Sequence, residues 1–354
     1  MHDFELVDED KSYKTGTNKN MNCDKKWMKR AIELAKQGEG LTRPNPPVGA
    51  VLVVEDQIIA EGWHKKAGED HAERDCLKNL PPMPVNLSLA TLYVTLEPCS
   101  THGRTPPCTD LILQKGIGRV VVAVEDLNPK HAGRGLDILK NAQVETILGI
   151  CEKEGKELIA PFEKFITTKM PFVTLKLAST LDGKIADRNG DSKWITGSVA
   201  RERVQQMRRS ADAIMVGART IRADNPSLLP RPSEGRKPWR IIIGKEIPAQ
   251  SKVLTDDAAD QTLIRSGNLK EILTNLAKEH DIMHVLCEGG GTLATKLIEE
   301  NLVDEFAFFI APKLLGADGI PNFSKTGGTM KTLEHLTIQS VEQLGDDLLL
   351  RAIH

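Results

Sequence analysis

Apolar and polar positions alternate along the chain with two periods. Trp27, Ala31 and Leu34 share one helical face with Met28, Ile32 and Ala35 beside them, which predicts a helix over 25–37, capped by Asp24 and ended by Gly38 and Gly40. A rigid Pro-Asn-Pro-Pro loop at 44–47 leads into a buried-strand pattern over 48–54, a turn at 55–57 and a second strand over 58–63. Asp70 is placed to cap a helix opening at His71, and a strand is expected over 89–96. Pro106-Pro107 precedes a helix over 108–114, followed by apolar strands at 120–124 and 144–150. The segment 167–171 reads as a boundary, after which the pattern restarts. Strands are predicted at 172–177, 213–216, 240–243, 284–287 and 305–310, and helices at 199–210, 269–279 and 292–301. Strands alternating with helices argue an α/β layer architecture in both halves. The expected organisation is a loose tail over 1–21, a first domain over 22–168 and a second over 170–354.

The chain has 354 residues, which suits two domains that each bury a core. No apolar run reaches the roughly 18 residues of a spanning helix, and the first twenty residues lack the apolar core of a signal peptide, so a cytoplasmic protein is expected. A net charge of −2 and 4% aromatic residues argue against a nucleic-acid substrate. Six cysteines in such a chain point to metal binding or plain burial rather than disulfides.

The first half carries His71-Ala72-Glu73, then Pro98-Cys99 and Cys108. These pieces match in type and order the zinc-deaminase signature of His-x-Glu followed by Pro-Cys and a second Cys, although here eight residues separate the cysteines. One imidazole and two thiolates would fill three corners of a zinc tetrahedron and leave the fourth for water. An S₂N site of this kind suits zinc best. Each ligand lies near a predicted helix start, where anions are favoured. Glu73 is placed to take the proton of an activated water and return it to a departing amino nitrogen. A structural site would want a fourth ligand. Cys76 lies about a turn and a half from His71 and reads as core.

The run VTLEPCSTHGRTPPCTDLI (94–112) resembles the bifunctional deaminase/reductase family of riboflavin biosynthesis, which carries the same eight-residue gap. The resemblance continues in PNPPVGAVLVV (44–54), HKKAGEDHAE (64–73), NPKHAGRGLDIL (128–139), LKLASTLDGKIA (175–186), GDSKWITG (190–197), GARTIRADNPSL (217–228), EGGGTLATKL (288–297) and VDEFAFFIAPKLLG (303–316). It implies a cytidine-deaminase-like three-layer α/β/α domain followed by a dihydrofolate-reductase-like α/β domain. The implied substrate is a small molecule, the diamino-ribosylamino-pyrimidinone phosphate. The first domain would deaminate its ring, and the second would reduce its ribosyl group to ribityl with NADPH. By the same resemblance Asn45, His64 and Arg104 join His71, Glu73, Cys99 and Cys108 in the deaminase pocket, Arg104 toward the phosphate. Where many relatives have histidine this chain has Thr101 followed by His102, and either residue is a candidate for that contact.

No Gly-x-Gly-x-x-Gly opens the second half. The better phosphate cradle is Glu288-Gly289-Gly290-Gly291-Thr292, after an apolar strand and at a helix start. Carried over by resemblance, Ala178, Trp194, Thr220, Asp224 and the run Gly290, Gly291, Thr292, Leu293, Ala294, Thr295 and Lys296 fall at cofactor positions. Ser192, Arg208, Leu228, Arg231 and Glu288 fall at substrate positions. Lys176 is a candidate proton donor, with a structural ion pair as the competing reading. Lys245 stands where a serine is expected, and a lysine there would favour the 2′-phosphate of NADPH. The pairs Gly116/Gly118 and Gly133/Gly135 read as turn residues. A homo-oligomer is expected. The weighed alternatives are a nucleoside or tRNA deaminase with a non-catalytic nucleotide-binding second domain, and a non-catalytic metal-binding regulator.

Overall fold

The computed structural model describes residues 18–82, 85–102, 106–128, 133–232, 236–323 and 335–354. Alternation along the strands explains the layers of the first half. It contains α1 (Asn18–Lys36), β1 (Gly49–Val54), β2 (Gln57–Trp63), α2 (Ala72–Lys78), β3 (Thr91–Leu96), α3 (Cys108–Lys115), β4 (Arg119–Val124), α4 (Arg134–Asn141), β5 (Glu145–Leu148) and α5 (Glu152–Thr168). The strands form one sheet in the order β2-β1-β3-β4-β5, with β1 antiparallel to β2 and β3, and β3, β4 and β5 parallel. Val51, Val53, Tyr93, Val121 and Ala123 face α1 and α5, while Ala50, Leu52, Leu92, Val120 and Val122 face α2, α3 and α4. Successive strand residues point to opposite faces, so the sheet is covered on both sides and the expected three layers result.

The second half follows the same logic on a larger sheet. Its elements are β6 (Phe172–Thr180), β7 (Lys184–Ala186), α6 (Ser198–Ser210), β8 (Ala213–Gly217), α7 (Ala218–Asp224), β9 (Trp239–Ile243), α8 (Lys252–Thr255), β10 (Thr262–Arg265), α9 (Leu269–His280), β11 (His284–Cys287), α10 (Gly291–Glu299), β12 (Glu305–Ala311), β13 (Ile320–Pro321), β14 (Thr337–Leu344) and β15 (Asp347–Ile353). Eight strands run in the order β10-β9-β8-β11-β6-β12-β15-β14, and β7 pairs with β13 separately. From β10 to β12 the neighbours are parallel, and β15 and β14 close the sheet antiparallel. α9 and α10 cover one face; α6, α7 and α8 cover the other. No helix among the described residues is long and apolar enough to cross a membrane.

Two predicted caps are corrected. Asp24 lies inside α1, which begins at Asn18, so residues 18–21, assigned above to the tail, are helical. Its buried carboxylate accepts from the Tyr93 hydroxyl at 2.7 Å and from both terminal nitrogens of Arg119 at 2.9 and 2.8 Å. Partners so distant in sequence are invisible to a local capping rule. His71, not Asp70, is the N-cap of α2, and its side chain does not cap. Asp70 instead pairs with Lys78 and Arg74 on the following turns. The helix α5 escapes prediction because Gly155 and Pro161 interrupt its helical signature. Gly155 is required there, since a Cβ would stand 2.5 Å from Val124 Cγ2. The edge strand β14 is largely exposed and shows no apolar alternation.

The two halves touch through specific groups. Lys164 on α5 pairs with Asp304 at 2.5 Å, next to β12. Gly40, at φ +70, lies against the end of α6, where a Cβ would fall 2.3 Å from the Arg209 carbonyl oxygen.

Removing the Asp24 carboxylate leaves the Tyr93 hydroxyl and both terminal nitrogens of Arg119 without their acceptor, with Arg119 Nε still held by Glu145 at 3.1 Å. Asp24→Ala should therefore destabilise the first domain by about 3 kcal/mol, and Tyr93→Phe by about 1 kcal/mol. Urea unfolding followed through Trp27 and Trp63 fluorescence reads both, and an unchanged midpoint for Asp24→Ala would show that water replaces the pair.

Candidate active sites

Three segments of the first domain deliver one nitrogen and two sulfurs to a common point. His71 is the N-cap of α2, Cys99 follows the end of β3, and Cys108 opens α3 behind Pro107. Cys99 Sγ and Cys108 Sγ stand 3.4 and 3.5 Å from His71 Nδ1, and all three ligand atoms lie within 4.8 Å of one another. Among the described residues this is the one such His/Cys/Asp/Glu group. The Cys108 N–H donates to Cys99 Sγ at 3.3 Å, so the start of α3 is aimed at the thiol. The hydrogen bond from Cys108 holds the Cys99 thiol down to about 4, while the same contact and burial push Cys108 up. Cys76 packs into the core between α2 and the sheet, and burial pushes its thiol up to about 12, which agrees with its reading as core.

Glu73, one residue into α2, is buried beside this cluster. Burial, then the neighbouring Cys99 charge, pushes its carboxyl up to about 7, where a group both accepts and donates protons near neutral pH.

His64 and Asn45 form a chain of hydrogen bonds next to the cluster. His64 Nδ1 donates to the Asp70 carbonyl at 2.8 Å, which leaves Nε2 to accept from the Asn45 amide nitrogen at 3.0 Å. Burial lowers the His64 pKa and keeps the ring neutral for this role. The Asn45 carboxamide oxygen and its second N–H are thereby left for a ligand. A turn fixes its backbone: Asn45 N–H donates to the Thr42 carbonyl, and the Thr42 hydroxyl to the Asn45 carbonyl, both at 2.9 Å. The His64 and His71 rings meet edge to face with centroids 5.5 Å apart. Thr101 and His102 are both exposed on the loop after Cys99, and Arg104 lies outside the described residues.

In the second domain, Arg208 grips Glu288 with Nε at 2.5 Å and Nη2 at 2.9 Å. Burial pushes Glu288 up, but Arg208 and then Lys176 hold its pKa below the ordinary value. Lys176 projects from β6, and burial lowers its pKa against the pull of Glu288. Its amine lies 5.5 Å from the Phe309 ring centroid and makes no ion pair among the described residues. Arg208 also donates to the Leu229 carbonyl at 3.3 Å, and Gln205 accepts from Arg231 N–H at 2.9 Å. The structure thus gathers Arg208, Glu288, Lys176 and the Leu228–Arg231 stretch along α6, with the Arg231 side chain exposed and Leu228 buried at φ +63. Among the described residues Ser192 makes no hydrogen bond or ion pair with this group.

The glycine-rich turn opens α10 as expected. Gly290 is its N-cap with no capping side chain, and Thr220 Oγ1 lies 3.5 Å from where a Gly290 Cβ would be. A Cβ on Gly291 would fall 2.9 Å from the Asn322 carbonyl oxygen, so only glycine fits. Leu293, Ala294 and Thr295 are buried, the first two in the core; Thr292 and Lys296 are exposed. A ligand at this helix start meets backbone at 290–292 rather than those buried side chains. Trp194 is 61% exposed, carries Arg201 over its ring at 4.6 Å, and its carbonyl accepts from Lys313 at 3.1 Å. Asp224 stands 4.0 Å from the Lys193 amine, and Ala178 lies on β6 opposite Phe309. Lys245 is exposed, and its carbonyl accepts from Arg222.

The sequence reading passed over Glu97, whose buried carboxylate gathers four backbone N–H groups, and Lys313, which holds the Trp194 loop. Glu97 was open to suspicion as a charge in an apolar strand end beside Pro98-Cys99. Lys313 carried no local signal.

Comparison with known proteins agrees with this division. Residues 21–124 match the cytidine and deoxycytidylate deaminase zinc-binding region, and residues 171–350 match the RibD C-terminal domain. The chain is 42% identical to the riboflavin biosynthesis protein RibD of Aquifex aeolicus, covering 92% of this chain and 97% of that one. It is 40% identical to RibD of Bacillus amyloliquefaciens, with 92% and 95% covered. Among solved structures, a diaminohydroxyphosphoribosylaminopyrimidine deaminase/5-amino-6-(5-phosphoribosylamino)uracil reductase from Thermotoga maritima superposes with a TM-score of 0.85 at 38% identity, covering 94% and 99%. Acinetobacter baumannii RibD gives 0.83 at 38% identity, with the same coverage.

The burial of the thiols predicts their reactivity. With a thiol-alkylating reagent at neutral pH, exposed Cys23 should label in the folded chain, while Cys76 and Cys287, both pushed up to about 12 by burial, should stay unlabelled until the chain unfolds. Peptide mass mapping distinguishes them, and labelling of Cys76 as fast as Cys23 would remove it from the core.

Proposed function

Because the chain belongs to the RibD family of bifunctional riboflavin-biosynthesis deaminase/reductases, we propose that its substrate is the diamino-ribosylamino-pyrimidinone phosphate and that its two sites act on it in turn. The observation that carries this reading is the convergence of His71, Cys99 and Cys108 beside a buried Glu73. One imidazole nitrogen and two sulfurs so spaced suit zinc with one corner left over, so these three residues would hold the ion. Zinc there would supply Lewis acidity and lower the pKa of a water. Glu73 takes the proton of the attacking water and passes it to the ring's departing amino nitrogen, which leaves as ammonia. Asn45, oriented by His64, reads the ring edge with one donor and one acceptor, and Arg104 is assigned to the phosphate.

In the second site NADPH would supply hydride. The start of α10 at Gly290 to Thr292, with Thr220 beside it, suits its phosphates, and Trp194, Asp224 and Ala178 complete the cofactor side. Arg208, held by Glu288, faces the ribose phosphate with Ser192, Leu228 and Arg231. Lys176 donates a proton as hydride reaches the opened sugar's carbonyl-like carbon. That it makes no ion pair among the described residues favours this role over a structural one. The enzyme is read as cytoplasmic and homo-oligomeric, the latter supported by Ile338 and Val341 exposed on the edge strand β14.

The test is a coupled assay that follows ammonia and NADPH absorbance. Ammonia should appear with or without NADPH, and NADPH should be consumed only once deamination proceeds. Neither signal from zinc-loaded protein would overturn the substrate. Glu73→Gln should lower ammonia release about 10³-fold while keeping zinc and still reducing the deaminated intermediate. Full deaminase activity in that variant would exclude Glu73 as the proton carrier. Lys245→Ala should cut the preference for NADPH over NADH about tenfold, the loss of one charge-assisted hydrogen bond. An unmoved ratio would assign the 2′-phosphate to another residue.

A further inference from the structure

Glu97 stands two residues before Cys99 and is 4% exposed. Its Oε2 accepts from the N–H groups of Asp126 at 3.1 Å and Gly133 at 3.0 Å. Its Oε1 accepts from Gly135 at 2.7 Å and Leu136 at 3.3 Å. Among the described residues no lysine, arginine or histidine pairs with it. The negative charge is therefore held by peptide dipoles, three of them at or next to the start of α4, where unsatisfied N–H groups favour an anion. Gly133, at φ +77, and Gly135 make this approach possible. A Cβ on Gly135 would fall 2.2 Å from the Pro98 carbonyl oxygen and 3.0 Å from Glu97 Oε1. The glycine pair that reads as an ordinary turn in the sequence is thus the seat of a carboxylate. That seat occupies the N-terminus of α4 from within the chain.

The next residues along are Pro98 and Cys99. Pro98 restricts the backbone, so little slack separates the Glu97 anchor from the sulfur. On its other side Cys99 Sγ is held by the N–H of Cys108. We propose that Glu97 is a positioning residue of the deaminase centre: its carboxylate locks the Pro98-Cys99 ligand loop to the backbone of Asp126 and of Gly133, Gly135 and Leu136 at the start of α4, so that Cys99 is presented to a metal ion in one place. This inference rests on the reading of His71, Cys99 and Cys108 as metal ligands. It gives the 128–139 motif, which the two reactions leave unassigned, the task of backing the ligand loop.

The experiment uses the full-length chain with cobalt(II) as the probe, read by its thiolate charge-transfer and d–d absorption and by competition with a chromogenic chelator. Wild-type protein should show a tetrahedral thiolate spectrum. Glu97→Gln presents an amide N–H to donors that need an acceptor, so it should shift the d–d bands and weaken cobalt binding about 10- to 100-fold. Glu97→Asp keeps the charge but shortens the reach, and should fall between the two. NADPH oxidation by the second site on the deaminated intermediate should stay within about twofold in all three proteins, since Glu97 touches only the backbone behind the Cys99 loop. A normal wild-type spectrum left unchanged in Glu97→Gln would overturn this inference alone, as would Glu97→Asp binding no better than Glu97→Gln. Parallel loss of reductase activity would make Glu97 a general structural group and overturn it too. Wild-type protein without the thiolate spectrum would overturn the metal reading and the inference with it.

Discussion

Three donor atoms from positions 71, 99 and 108 must meet within a few ångströms, and the architecture of the first domain follows from that constraint. A lone thiol or imidazole placed by a flexible loop would be held at the cost of loop entropy. Here each ligand is fixed by the end of an element: His71 by the start of α2, Cys108 by the start of α3, and Cys99 by the end of β3. The parallel pairing of β3 with β4 and the two covered sheet faces hold those ends in register. The same arrangement buries Glu73 against the thiols, and this burial raises its carboxyl well above the ordinary carboxylate range.

Charge is handled differently in the second domain. Glu288 is only 9% exposed in its side chain, and both its oxygens are engaged by Arg208. A buried pair of this kind is satisfied by its geometry rather than by bulk water. Because Arg208 saturates Glu288, Lys176 feels the carboxylate's field without being bound to it.

What the sequence made legible was local chemistry. The ligand triad, Glu73 and the glycine-rich start of α10 all stand where residue type and order placed them, because each depends on a short motif at an element boundary. The two half-chains and most of the parallel strands were readable for the same reason, since buried parallel strands are continuous apolar runs. What escaped depends on distance along the chain. Asp24 reads as a cap until Tyr93 and Arg119 are brought to it by the sheet. Gly155 reads as a helix breaker until β4 is seen pressed against it. Gly133 and Gly135 read as turns until the Glu97 carboxylate arrives from 36 and 38 residues away. The strand β14 carries little apolar alternation because its position at the edge leaves most of it in water.

The contact at Gly40 bears on the history of the molecule. The loop it belongs to ends at Asn45, which meets His64. The α6 terminus it rests on carries Arg208, which grips Glu288. With no room for even a methyl group between Gly40 and the Arg209 carbonyl, the two surfaces are matched to each other at the level of backbone atoms. A change that reshapes the end of α6 therefore presses directly on the backbone of the loop that carries Asn45, so that each half of the chain limits what the other can become.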